Sequence, residues 1–215
     1  MAAVDLRASK TGYLTVDQAA AINASDAALA KFVAGLPKAE LHLHIEGTIE
    51  PEMVLTIARR NGIALEGADD AERFCAAQRA KRSFRDLQEF LDLYYASCDV
   101  LRTEQDFFDI CAAYLARAHA AGVVRAEIFF DPQTHMVERN RLPLATVVNG
   151  LHRACAASPV DAQLIMSFLR HRHPPLAPAD EAEKILDEAL ANHTARAFPR
   201  DRLYILYILL VLLFF

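Results

Sequence analysis

No two of the four cysteines, Cys75, Cys98, Cys111 and Cys155, are spaced Cys-x-x-Cys. Scattered through helical patterns, they read as reduced, packed thiols, so no disulfide is expected and the setting points to the cytoplasm. Positive charge is also short. With 23 Lys and Arg against 28 Asp and Glu, the net charge of -5 offers nothing to nucleic acid or to an anionic membrane surface. Long apolar runs are scarce too. The one at Leu203–Phe215 falls short of the ~20 residues that a bilayer-crossing helix needs, which disfavours a membrane-attached protein. Residues 1–35, rich in Ala, Ser and Asp, lack the charged start, apolar core and cleavage site of a secretory leader and read as an extension. No internal repeat or linker of consequence stands out.

What is present is enough to bury a core. A chain of 215 residues, 53% hydrophobic and 24% charged, fits one globular domain or one domain with an appendage, and is short for a closed barrel. Its most informative stretch is Leu36-Pro37-Lys38-Ala39-Glu40-Leu41-His42-Leu43-His44-Ile45-Glu46-Gly47-Thr48. Strand alternation there sends His42, His44 and Glu46 to one face and Leu41, Leu43 and Ile45 to the other. Two imidazoles at this spacing lie roughly 6 to 7 Å apart along the strand, within reach of one Zn²⁺-like ion. An isolated His-x-His is more often a half-buried strand with two hydrogen-bonded histidines, so the neighbours have to decide.

Around that strand the pattern is strand, helix, strand. Asp26–Val33 suits a short helix that Gly35 and Pro37 end. Pro51 opens a helix carrying Met53, Val54, Ile57 and Ala58 on one stripe, with Gly62 just past its end. Phe84, Leu87, Phe90, Leu91 and Tyr94 form the stripe of another helix, with Ser83 and Asp86 placed as a capping box. A further helix starts at Thr103, capped with Asp106, and stops at Gly122. Val123–Phe130 reads as a buried parallel strand whose Arg125 and Glu127 point into a barrel, and Asp131-Pro132-Gln133-Thr134-His135 follows at its C-terminal end. Helices near 143–157 and 180–190 flank a third strand at 162–169. His171 and His173, next to Pro174 and Pro175, read as a solvated loop and not as a metal site.

The blocks LPKAELHLHIEGTIEP, SFRDLQEFLDLYYASCDVLRTEQDFFDI (83–110), IFFDPQTH (128–135) and IMSFLRH (165–171) resemble the adenosine/adenine deaminase family of metal-dependent aminohydrolases. They fall in family order, from about Leu36 to Ala191, and are most similar to the adenine branch. The resemblance implies an α/β fold, a TIM-type (β/α) barrel. It also implies zinc, one ion per site, acidifying a water that displaces ammonia from C6 of a small-molecule 6-aminopurine. His42 and His44 would be metal ligands; Glu46, Gly47 and Asp131 would meet substrate. Glu46 stands where the nucleoside branch has a shorter Asp that meets the ribose, which favours adenine over adenosine. In the family the segment before the second strand closes over the purine, so Phe84 or Leu87 would face it. The other zinc deaminase class, with His-x-Glu ahead of Pro-Cys-x-x-Cys, is excluded because His44-Ile45-Glu46 has no such partner motif.

One departure matters. The family's His-Ala-Gly-Glu block, which carries a third metal histidine and the catalytic glutamate, is missing from this sequence, as are its Asp-His-Gly and paired-aspartate blocks. Three barrel strands of the eight needed for closure are recognisable, so an incomplete barrel without the general acid/base is expected. The chain divides on this reading into an extension (1–35), the N-terminal part of a deaminase barrel (36–191) and an atypical hydrophobic tail (192–215) with the composition to add one makeshift strand or helix at the sheet edge. The rival readings are an adenosine deaminase of the same family and a non-catalytic remnant that only binds a partner.

Overall fold

The computed structural model describes residues 26–80, 84–169, 178–194 and 203–204. His171 and His173, the Ser83 cap and most of the expected extension and apolar tail lie outside them. The chain forms two compact units, Met1–Lys38 and Ala39–Phe215. In the first, helix α1 (Asp26–Gly35) ends where glycine and Pro37 were expected to stop it.

The second unit is built on a sheet of order β1-β2-β3-β4: β1 (Lys38–His44), β2 (Val123–Phe130), β3 (Asp161–Met166) and the two-residue β4 (Leu203–Tyr204). β2 and β3 pair in parallel from Arg125↔Asp161 to Phe130↔Met166, and β3 pairs in parallel with β4. The expected tail thus contributes a short fourth strand. The connecting helices are α2 (Pro51–Arg60), α3 (Ala71–Ala80), α4 (Leu87–Cys98), α5 (Glu104–Ala120), α6 (Leu144–Ala157) and α7 (Glu181–Thr194). Strand–helix–strand with parallel pairing is the arrangement of a TIM-type barrel.

Local chemistry accounts for the boundaries. Pro51 occupies the first turn of α2, where a missing N–H costs nothing, and Gly62 just beyond it takes φ 65°, a left-handed conformation that side chains disfavour. Thr103 and Asp106 form the expected capping box of α5. At α4 the cap is Asp86, whose side chain accepts from the Glu89 N–H, so this helix begins at Leu87 and not at Ser83. α3 was not foreseen; its sequence AERFCAAQRA buries only Phe74 and Cys75 and carries a weak apolar stripe.

The core lies between the sheet and these helices. Ala126, Ile128 and Phe130 of β2 and Ala162, Leu164 and Met166 of β3 point into it, meeting Phe107, Ile110, Cys111 and Leu115 of α5 and Val147, Leu151 and Cys155 of α6. Alternate residues, including Arg125, Glu127 and Phe129, face the other way, as strand periodicity requires. Arg125 bridges Asp161 and Glu127 on that face, at 2.6 and 3.2 Å. The four cysteines are buried thiols. Among the described residues no helix is long and apolar enough to cross a membrane.

Candidate active site

The C-terminal ends of β1, β2 and β3 converge on one polar cluster. β1 stops at His44, short of the Glu46 that alternation includes, and Ile45–Thr48 coils into a 3-10 turn. That turn draws Glu46 inward to 1% exposure. The expected apolar face is also only partly buried: Leu43 and Ile45 join the core, whereas Leu41 is 59% exposed. Beyond β2, the Asp131–His135 segment is interior, with Asp131, Gln133, Thr134 and His135 all buried around a π-helical turn at Thr134–Glu138.

Buried charge demands partners, and each carboxylate here has several. Glu46 accepts from the Asp131 backbone N–H through Oε1 at 3.0 Å. The same oxygen lies 3.1 Å from His135 Nε2, and Oε2 accepts from the Tyr94 hydroxyl at 3.2 Å. His135 Nδ1 is buried and has no partner, so the proton of a neutral ring belongs on Nε2, facing Glu46. Asp131 Oδ1 accepts from Ser167 Oγ at 2.5 Å. Its Oδ2 accepts from the Tyr94 hydroxyl at 3.0 Å and lies 3.1 Å from His44 Nδ1. Tyr94 therefore offers its single proton between two carboxylates.

These contacts set the electrostatics. Burial lowers the His44 pKa, but the hydrogen bond to Asp131 and the charges of Asp131 and Glu46 outweigh it and raise the value above the ordinary one. Burial pushes Asp131 up, and the hydrogen bonds from His44, Ser167 and Tyr94 with the His44 charge hold it below the usual carboxylate range. Burial first, then the neighbouring carboxylates, drives the Tyr94 phenol far up, so it remains a donor. Tyr95 is pushed up to about 12 by burial and by Glu138 and Asp131.

Beside the cluster is a cavity of about 560 Å³, within the usual range for small-molecule sites. His42, His44 and Asp131 form its polar wall, and Phe90, Tyr94, Tyr95, Phe129 and Phe168 supply aromatic faces. The His42 ring packs 4.5 Å from Phe129 and 5.8 Å from His44. Of the site residues expected from sequence, His42, His44, Gly47 and Asp131 line this cavity; Glu46 lies behind it. Phe84 and Leu87 do not line it either. Leu87 is 70% exposed, and the next part of the α4 stripe, Phe90 with Tyr94, lines the cavity instead. Tyr94, Ser167 and His135 were not among the site residues expected from sequence; His135, in the segment after the second strand, carried a positional signal, and Ser167 gains one from β3 ending at Met166.

A metal fits this donor set. His44, Glu46 and Asp131 place ligand-type atoms within 4.8 Å of one another. The carboxylate oxygens already accept hydrogen bonds, whereas His44 uses only Nδ1 in its bond to Asp131 and so keeps Nε2 for an ion, with His42 on the same wall. Two carboxylates behind the imidazole also make the site attractive to a cation.

Parallel strands, a polar site at their C-terminal ends and a His-x-His on the first strand are the layout of a TIM-type barrel with a metal-type site. Residues 37–198 match the family described as adenosine deaminase, and the chain belongs to that family. It is 48% identical over 167 residues to the adenine deaminase of Trichlorobacter lovleyi, covering 76% of this chain and 44% of that one. The crystal structure of adenine deaminase from Arthrobacter aurescens superposes with a TM-score of 0.64 at 48% identity, covering 73% of this chain and 46% of that chain. An amidohydrolase from Burkhoderia ambifaria, solved with bound Zn, gives 0.62 at 26% identity, covering 86% of this chain and 48% of the other. The chain thus spans about half the length of the relatives it matches.

Proposed function

We propose that residues 36–191 form the metal- and purine-binding half of a zinc-dependent adenine deaminase site. The observation that carries this is the cavity itself, in which His42 and His44 share the lining with aromatic faces suited to a flat heterocycle. Adenine deaminase relatives at 48% identity and the zinc in the Burkhoderia ambifaria protein favour the same reading. His42 and His44 would hold the ion, which when bound supplies a water acidic enough to be a nucleophile near neutral pH. Phe90, Phe129 and Tyr95 would sandwich the purine and exclude bulk water. Glu46, with Tyr94 and Asp131, would close the wall that a ribose would otherwise need, acting on substrate size through these partners, since it lies behind the cavity.

Two histidines are fewer than the three protein ligands of a typical catalytic zinc site, and the sequence holds no His-Ala-Gly-Glu block to supply a proton-transfer glutamate. The 215-residue chain should therefore bind zinc weakly and adenine detectably, without turnover. Metal analysis after dialysis and calorimetric titration with adenine and adenosine test this. Zinc binding should vanish in His44→Ala, and adenine should bind more tightly than adenosine. Stoichiometric zinc retained in His44→Ala would refute the metal assignment, and a preference for adenosine would move the protein to the nucleoside branch.

A further inference from the structure

We infer that Asp131 is a positioning residue that fixes His44 in the tautomer presenting Nε2 to a metal, with Ser167 and Tyr94 holding Asp131 in place. The inference rests on the metal role proposed above for His44. An ionised carboxylate only accepts hydrogen bonds, so the 3.1 Å contact between Asp131 Oδ2 and His44 Nδ1 requires the proton to sit on Nδ1. In the neutral ring the lone pair is then on Nε2. A histidine ligand has to be neutral with that lone pair free, and a carboxylate behind the ring both selects the tautomer and limits rotation.

The support for Asp131 is unusually complete. Ser167 Oγ lies 2.5 Å from Oδ1 and 3.1 Å from the Phe130 carbonyl, and its one proton goes to the nearer, charged acceptor. Tyr94 donates to Oδ2 at 3.0 Å, and the Asp131 backbone N–H is tied to Glu46 at 3.0 Å. The last residue of β1, the first residues past β2 and β3, and helix α4 each contribute a group, so the ring orientation of His44 is set by the packing of four elements. With its oxygens committed this way and only 5% exposure, Asp131 acts first on the histidine, from within the wall that it shares with it. Sequence reasoning had placed it against the purine.

The test uses the full 215-residue chain, uniformly ¹⁵N-labelled. Long-range proton–nitrogen correlation of the metal-free protein should show His44 protonated at Nδ1, and Asp131→Ala should shift the ring toward the Nε2-protonated form. Competition titration with Zn²⁺ should show a 10- to 100-fold weaker affinity in Asp131→Ala, the loss expected for such outer partners, with smaller losses in Ser167→Ala and Tyr94→Phe. An Nε2-protonated ring in the wild-type chain, or unchanged zinc affinity in Asp131→Ala with weakened adenine binding alone, would overturn the inference. Should the wild-type chain bind no zinc, the metal reading fails, while the metal-free tautomer still decides the role of Asp131. Should Asp131→Ala not fold, Ser167→Ala decides by the same two readouts.

Discussion

At the start of α5, Asp106 is fully buried and accepts from Asn61 at 2.8 Å, from the backbone N–H groups of Arg102 and Thr103 at 2.8 Å, and from Arg60. Burial alone would raise its pKa, but these donors outweigh burial and hold it below the ordinary carboxylate value. The sign of its pH dependence follows. A depressed folded pKa gives stability that is fully present above the unfolded value of about 3.9 and lost as pH falls through the folded one. Asp106→Ala should cost about 2 to 4 kcal/mol near neutral pH, because it strands a partly buried guanidinium and two N–H groups. Urea melts of both proteins near neutrality and near pH 3 should show that gap closing in acid; a constant gap would mean that the charge contributes nothing. The capping role of Asp106 was legible, because Thr-x-x-Asp is a local spacing. Its bonds to Arg60 and Asn61 were not, since they join residues over forty positions apart. The same divide runs through the site: His42 and His44 declare themselves by spacing on one strand, while Tyr94 belongs by pattern to an apolar stripe and reaches Glu46 and Asp131 only because α4 packs on the turns that follow β1 and β2.

Among the elements, α5 and α6 pack closely at Gly150. A Cβ built there would lie 2.3 Å from the Glu104 carbonyl oxygen and 2.7 Å from Phe107 Cβ, atoms of α5 that cannot move without moving that helix. Gly150→Ala sets two effects against each other. Helix propensity favours alanine by about 1 kcal/mol, whereas forcing an added methyl into a packed interface costs about 1 to 3 kcal/mol. Contact with rigid backbone puts the cost at the upper end, so the variant should be destabilised by about 1 to 2 kcal/mol with an unchanged m-value. A gain in stability would show that the helices separate freely. Nothing in the local pattern of α6 marks Gly150, because close approach is a property of two helices. By contrast the ends of α2 and α5 were readable from Pro51, Gly62 and the Thr103 cap, each a local device. α3 was missed for want of a stripe, and the 3-10 turn after His44 was missed because an alternating sequence gives no sign of where the strand releases its last residues.

On the scale of the molecule, the sheet places a site at one end of β1, β2 and β3, as a barrel does, and the parallel order follows from the strand–helix–strand rhythm of the sequence. Leu41 on β1 and Val124 on β2 are 59% and 55% exposed, apolar side chains on strands that a complete barrel would cover. The matched Arthrobacter aurescens protein has more than half its length outside the region shared with this chain. If residues 36–191 are half of a deaminase site, the missing chemistry is a proton-transfer glutamate and the remaining metal ligands, and open strand edges are natural surfaces for the complementary half. Co-refolding this chain with a separate polypeptide comprising the unmatched part of the Arthrobacter aurescens enzyme, with zinc, should yield a complex that releases ammonia from adenine. Neither piece should do so alone, and His44→Ala in this chain should abolish the complemented activity while leaving co-elution of the two pieces intact. Turnover by this chain alone would show that it carries its own proton-transfer group, and a complex that forms with wild-type strength yet is equally active with His44→Ala would remove the metal role from β1.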